Sequence, residues 1–212
     1  MTWQVWLAFV GAAIVIAVSP GAGAVQSMAT GLTHGVKRGL WSIAGLEAGL
    51  MLQLALVSLG LGAAVANSIL AFQVIKWIGV AYLLYLAVRQ WRAVPVNLRE
   101  QVDRTVPGGR AALVVRGFLV NATNPKGLVF FLAVLPQFVV PTAPLVPQYL
   151  AIGVTMVAVD VVVMTLYTAM SVRLVRRLSS PRQQTLLNRV FSGLFATAAV
   201  ALSLVRRGPA AV

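Results

Sequence analysis

The chain has 212 residues, of which 59% are hydrophobic and 10% are charged. A soluble domain is about 45–50% apolar and about 25% charged, so the composition excludes a water-soluble enzyme and a disordered chain and predicts an all-α integral membrane protein. The net charge of +13 would suit a nucleic-acid-binding protein. The basic residues, however, lie in short tracts between apolar runs, which is typical of cytoplasmic loops. We therefore expect the lipid bilayer, and no nucleic acid, as a partner.

Several kinds of site are excluded by residue types that the sequence lacks. It has no cysteine and one histidine, so it holds no disulfide, no zinc–thiolate site and no histidine cluster. It also lacks a phosphate-binding loop and the sequence signatures of serine hydrolases and zinc proteases. We expect no metal, no cofactor and no catalytic residues. The alternative is a membrane enzyme whose chemistry would use Asp160, Glu47 and Lys126.

Six apolar runs follow one another along the chain, and a bilayer-spanning helix needs about 20 such residues. The first run has no charged residue, and because a secretory leader begins with basic residues we interpret it as a membrane span. The fourth run is too long and too polar for one simple helix, and the last is only just long enough to cross. The six runs are 1–36, 40–64, 69–88, 111–139, 148–170 and 190–205.

The basic residues predict the orientation of these spans. Most of the 17 Lys and Arg residues lie in the first, third and fifth connections, and the second and fourth connections carry none. The first connection is expected around Lys37 and Arg38. The positive-inside rule then places these three connections in the cytoplasm and both termini outside.

The chain is predicted to be one transmembrane domain, 1–212, made of two similar halves. Residues 1–92 form a first three-helix half, 93–110 a cytoplasmic linker, and 111–212 a second three-helix half. Because each half has an odd number of spans, the two copies would be inverted in the membrane. Half a chain apart, the first span of each half is interrupted by a proline followed by glycine.

Paired breaks of this kind indicate a transporter binding site, since freed backbone groups persist in a membrane only where protein or a wet cavity satisfies them. The alternative is two proline kinks without a site. The candidate substrate-binding residues are Pro20, Gly21 and Gly23 in the first break and Asn121, Asn124, Pro125 and Lys126 in the second.

Two acidic residues fall inside predicted spans, Glu47 in the second and Asp160 near the middle of the fifth. An acid inside a membrane costs about 2.5–3.5 kcal/mol when it is central and unpaired, so such residues are functional candidates. Glu47 could instead stay hydrated near the cytoplasmic surface. Tyr167 lies two turns after Asp160 on the same helix face, where it makes either a structural hydrogen bond or a substrate contact.

These motifs together resemble the LysE/RhtB family of amino-acid exporters along nearly the whole chain. The resemblance implies a small bacterial inner-membrane protein of six hydrophobic segments that exports amino acids or related metabolites, driven by the proton gradient or the membrane potential. An uptake transporter or an assembly subunit remain alternatives, and the substrate and any homo-oligomer are left open. The matching segments are Ser19-Pro20-Gly21, His34-Gly35-Val36-Lys37-Arg38-Gly39, Asn121-Ala122-Thr123-Asn124-Pro125-Lys126 and Leu135-Pro136-Gln137-Phe138.

For an amino acid, both charged ends need a partner when they leave water. We predict that the substrate carboxylate faces Lys126 and the amides after Pro125, where a helix begins. The ammonium group would face Asp160, Glu47 or carbonyls near Pro20. The alternative is that Lys126 neutralises Asp160 permanently.

Overall fold

The computed structural model describes residues 2–67, 69–95, 108–140, 142–171, 173 and 180–204. Within these residues the regular structure is helical and contains no strand, which confirms the all-α class. Most of the predicted linker and the positions Met1, Arg99 and Arg177 lie outside them. The described helices are α1 (Trp3–Val18), α2 (Ala22–Asn67), α3 (Ile69–Trp91), α4 (Arg110–Ala122), α5 (Pro125–Phe138), α6 (Leu145–Ala169) and α7 (Pro181–Leu204).

Both predicted breaks occur where the prolines stand. α1 ends at Val18, Ser19 is extended, and α2 begins at Ala22. In the second half, α4 ends at Ala122 and α5 begins at Pro125 with a change of direction of 53°. Proline suits the first position of a new helix because the amide it lacks would have no partner there.

The expectation of a connecting loop at Lys37 and Arg38 is wrong. Both residues are helical, and the interruption is a single residue, Gly35, with φ 71° and ψ 175°. Glycine adopts this left-handed φ without the clash that a Cβ would cause, so the chain changes direction without a loop. α2 is therefore two helical segments, 22–34 and 36–67.

The last helix is also longer than the sequence pattern predicts. It begins at Pro181 rather than at residue 190, because the polar first turns continue the helix before the apolar run starts. Hydropathy marks where a helix is apolar, whereas the helix itself begins where a proline permits its first turn.

The helices pack so that elements of the two halves alternate. α2 packs mainly against α4 and α6, α1 against α6, and α3 against α7. Small residues bring α2 and α4 together: a Cβ added to Gly49 would lie 2.6 Å from the Phe118 carbonyl oxygen, and one added to Gly117 would meet the Ser42 carbonyl. Such close backbone approach is how helices associate inside a membrane.

The outer faces of these helices suit lipid. Large apolar side chains such as Leu59, Leu70 and Val154 are 77%, 72% and 69% exposed, which is unusual on a surface that meets water. By length and composition, the Ala22–Leu59 part of α2 and α6 can each cross a bilayer, and the bent pair of α4 and α5 adds a third candidate. The described helices thus belong to a membrane protein, and the number of six spans stays a prediction.

Candidate functional site

Two acids of the predicted spans are buried near each other. Glu47 on α2 and Asp160 on α6 are each 8% exposed, and they lie close enough to act on each other electrostatically. Among the described residues, no N–H or O–H donor reaches either Glu47 oxygen. Glu47 is therefore buried in the protein rather than exposed at its surface.

Lys126, at the start of α5, connects the second break to the first. Its Nζ donates to the Ile16 carbonyl at 2.9 Å and to the Ser19 carbonyl at 2.6 Å. These oxygens belong to the end of α1, where helical carbonyls lack an intrahelical partner and the helix dipole favours a cation. Asp160 acts on Lys126 electrostatically, while the hydrogen bonds of the ammonium group go to the backbone.

Other freed carbonyls of the two breaks are also bonded to polar side chains. The Tyr167 hydroxyl donates to the Val18 carbonyl at 2.8 Å, so Tyr167 makes the structural hydrogen bond. At the end of α4, the Gln53 side-chain amide donates to the Asn121 and Asn124 carbonyls, each at 2.8 Å. Sequence reasoning missed Gln53, although a polar residue in an apolar run that also holds Glu47 was a signal.

The two asparagines of the second break hold the break in shape. The buried Asn121 side chain donates to the Leu46 carbonyl at 2.8 Å, next to Glu47. The Asn124 side chain accepts from the Lys126 amide at 3.1 Å and caps α5. The first amide after Pro125 therefore has an internal partner, so a substrate carboxylate bound there would have to displace Asn124.

Most of the predicted site residues surround one small cavity, which we call the inner chamber. Its volume is about 50 Å³, which is room for a few water molecules. Pro20 lies instead on a neighbouring larger cavity, Tyr167 caps α1, and Pro125 begins α5. The polar and glycine residues that line the inner chamber are Ser19, Gly21, Gly23, Asn121, Asn124, Lys126, Gly127 and Asp160.

This arrangement can recognise an ammonium group. The acid of Asp160 and the carbonyls of Ile16 and Ser19 converge on one place, and all are acceptors. In this structure the ammonium that uses the two carbonyls is that of Lys126. Gly21 and Gly23 line the chamber, and a Cβ added to Gly21 would lie 3.4 Å from Lys126 Cδ, an ordinary contact distance.

Comparison with known proteins finds similarity along almost the entire sequence. The homoserine/homoserine lactone efflux protein of Salmonella typhimurium is 40% identical over 206 residues, which cover 97% of this chain and 99% of that protein. An uncharacterized membrane protein of Vibrio cholerae is 41% identical over 196 residues, covering 92% and 94%. The leucine efflux protein of Klebsiella pneumoniae is 28% identical over 134 residues, 63% of each chain. No solved structure matches.

The family model of the LysE type translocator matches residues 14–206. This match confirms the resemblance that the break motifs indicated and makes the alternative of a membrane enzyme wrong. The matched region contains both breaks, both acids and Lys126. The chain therefore belongs to the LysE type translocator family and is a membrane transporter rather than an enzyme.

Proposed function

We propose that this protein exports amino acids or close relatives from the bacterial cytoplasm across the inner membrane. The observation that carries the proposal is the buried Glu47–Asp160 carboxyl pair beside the freed α1 carbonyls that Lys126 occupies. Similar proteins are named as efflux proteins for homoserine, homoserine lactone and leucine, and these three compounds share an α-ammonium group. This set of acceptors is suited to bind an ammonium group.

Lys126 gives this site an internal competitor for the substrate. In this structure its ammonium bonds to the Ile16 and Ser19 carbonyls. A substrate ammonium that took these carbonyls would release Lys126, whose charge could then pair with the substrate carboxylate. The exchange keeps both carbonyls bonded throughout, which matters because an unsatisfied polar group inside a membrane costs several kcal/mol. The other site residues, Pro20, Gly21, Gly23, Asn121, Asn124 and Pro125, shape the two backbone breaks around it.

The size of the inner chamber implies that the protein changes conformation during transport. About 50 Å³ holds water and not an amino acid. The helices around the chamber must separate to admit the substrate, and the breaks in α1–α2 and α4–α5 are the places where such movement requires the least loss of helix hydrogen bonds. This geometry supports alternating access around a central site.

The carboxyl pair supplies the coupling to protons. Two carboxylates that lie close together inside a low-dielectric site repel each other, and a proton shared between them would remove that repulsion. An arriving ammonium neutralises a carboxylate and displaces that proton, and a returning proton displaces the ammonium. Proton entry from outside would thus drive amino-acid exit, with Asp160 as the exchanging acid and Glu47 as its partner.

The architecture that fits this function is six spans in two inverted halves. Its support is the repetition of one arrangement: Asp160 is followed on α6 by Tyr167, which caps the end of α1, and Glu47 is followed on α2 by Gln53, which caps the end of α4. Each half thereby closes the break of the other half. Both termini would be periplasmic, following the distribution of basic residues.

An export assay tests the proposal. A bacterial strain that lacks its own homoserine and leucine exporters would be loaded with labelled amino acid, with and without this protein. We expect faster release from the expressing cells, and a slower release when an uncoupler removes the proton gradient. Release that is unchanged by expression, for homoserine, its lactone and leucine alike, would contradict the proposal. Accumulation in place of release would assign uptake instead.

A further inference from the structure

A second, larger cavity lies next to the inner chamber, and we call it the vestibule. Its volume is about 330 Å³, within the range of about 300–1,000 Å³ that is typical of small-molecule pockets. It is bounded by the C-terminal part of α3, by Phe195 of α7 and by the first break. Ser19, Gly21, Asn124 and Lys126 line both cavities, so the vestibule and the inner chamber share this part of their walls.

The α3 wall of the vestibule is one helix face. Tyr82, Leu86 and Arg89 are spaced by four and three residues, which places them on one side of the helix. The end of this helix is held by α7: the Gln90 side chain donates to Asn188 Oδ1 at 2.8 Å, and the Asn188 side chain donates to the Ala93 carbonyl at 3.2 Å. These hydrogen bonds to α7 hold the backbone that carries Arg89 in place.

Both charged residues that line the vestibule are cationic. They are Arg89 and Lys126, and among the described residues its lining contains neither Asp nor Glu. Lys126 also lines the inner chamber, which contains Asp160. An amino acid in the vestibule would therefore find a cation for its carboxylate at Arg89, and acids for its ammonium beyond Lys126.

We propose that the vestibule is an entry site for free α-amino acids and that Arg89 binds their carboxylate. The proposal rests on the proposed export function, because α3 ends at the side predicted to be cytoplasmic, where an exporter collects its substrate. The planar guanidinium matches a carboxylate with two parallel hydrogen bonds, a pairing that lysine does not reproduce. The Tyr82 and Phe195 side chains provide apolar surface for the rest of the molecule.

The entry site distinguishes two chemical forms of one metabolite. Homoserine carries an ammonium and a carboxylate, whereas its lactone keeps the ammonium but has no carboxylate. Arg89 has a partner in the first and none in the second. Binding of the amino acid should therefore depend on Arg89, and binding of the lactone should not.

Calorimetric titration of the purified full-length protein in lipid nanodiscs tests this. Homoserine and homoserine lactone would each be titrated into wild type, Arg89→Gln, Arg89→Lys and the control Arg92→Gln. Arg92 is an exposed arginine near the end of the same helix that does not line the vestibule. We expect Arg89→Gln to weaken homoserine binding about ten-fold or more, Arg89→Lys to weaken it less, and Arg92→Gln to change it less than two-fold. The affinity for the lactone should stay within two-fold of wild type in all variants. This unchanged affinity also shows that the variants are folded.

Equal homoserine affinity in wild type and Arg89→Gln would overturn the entry site, and so would an equal loss in Arg92→Gln or a matching loss of lactone affinity. If Arg89→Gln is not obtained as a folded protein, Arg89→Lys decides, because wild-type homoserine binding by that variant contradicts a bidentate pairing. The export assay tests the function separately. If the wild-type protein exports homoserine and Arg89→Gln binds it with normal affinity, only the entry-site proposal is contradicted.

Discussion

Lys126 satisfies backbone groups that the first helix break leaves without partners. Its ammonium bonds to two carbonyls at the end of α1, and Asp160 acts on it from α6. A lysine in an apolar helix is costly unless such acceptors surround it. One residue thereby joins three helices, and the same acceptors can receive a substrate.

Replacing Lys126 with Met should affect two separate measurements. The Ile16 and Ser19 carbonyls lose their side-chain donor, so we expect the free energy of unfolding in detergent to fall by about 1–3 kcal/mol. If the released ammonium pairs with the substrate carboxylate, binding of an amino acid should weaken far more than binding of its methyl ester. Equal weakening of both compounds would make Lys126 a structural residue only. Retained binding by a folded Lys126→Met/Asp160→Leu variant would contradict the site itself.

Asp160→Asn should separate substrate binding from coupling to protons. The change keeps the shape of the side chain but removes the group that holds a proton, so we expect gradient-driven efflux from liposomes to fall at least ten-fold while the protein stays folded. Asp103→Asn makes the same change in the predicted linker and should leave efflux unaltered. Wild-type efflux driven by a pH difference in a folded Asp160→Asn protein would refute the coupling role.

At the scale of the helices, close approach of backbones decides how the two halves meet. Gly45 and Gly49 on α2 face Val114 and Phe118 on α4, and Gly117 on α4 faces Ser42 on α2. These contacts place Glu47 and Gln53 of α2 beside the second break. The packing of small residues thus stabilises the protein and also positions the residues of the site.

Gly45→Ala tests this contact. The added methyl group would lie against the Val114 carbonyl oxygen, and because that atom is backbone, α2 and α4 must move apart. We expect a loss of about 1–3 kcal/mol in the free energy of unfolding. Gly193→Ala on α7 is the matched control, since its methyl group meets nothing within 4 Å. Removing a helical glycine should there raise stability by about 0.5–1 kcal/mol. A similar loss in the free energy of unfolding for both variants would show that the α2–α4 contact does not stabilise the protein specifically.

At the scale of the whole molecule, the open question is how the helices are oriented in the membrane. The absence of native cysteine makes single-cysteine labelling direct. In intact cells, we expect an impermeant thiol reagent to modify Thr142→Cys and to leave Arg99→Cys and Arg177→Cys unmodified until the cells are opened. Modification of Arg99→Cys in intact cells would reverse the predicted orientation.

The sequence by itself determined the class of the protein and the position of its breaks. Apolar runs of membrane length exclude a soluble fold, and a proline within such a run favours a helix break, because the ring removes an amide and obstructs a carbonyl. Pro20 and Pro125 therefore marked both breaks correctly. The costs of burying Asp160 and Glu47 in a membrane likewise singled them out without any structure.

Only the tertiary structure decided which groups meet. Sequence periodicity places Tyr167 on the Asp160 face, but not against the Val18 carbonyl of another helix. The partners of Lys126 and the role of Gln53 depend on how α1, α2, α4 and α5 cross, and such crossings join residues far apart in the chain. Hydropathy indicates whether a residue is more stable in water or in an apolar environment. A hydrogen bond between helices depends instead on the distance and direction between two groups, and these are defined only by the packing of the helices.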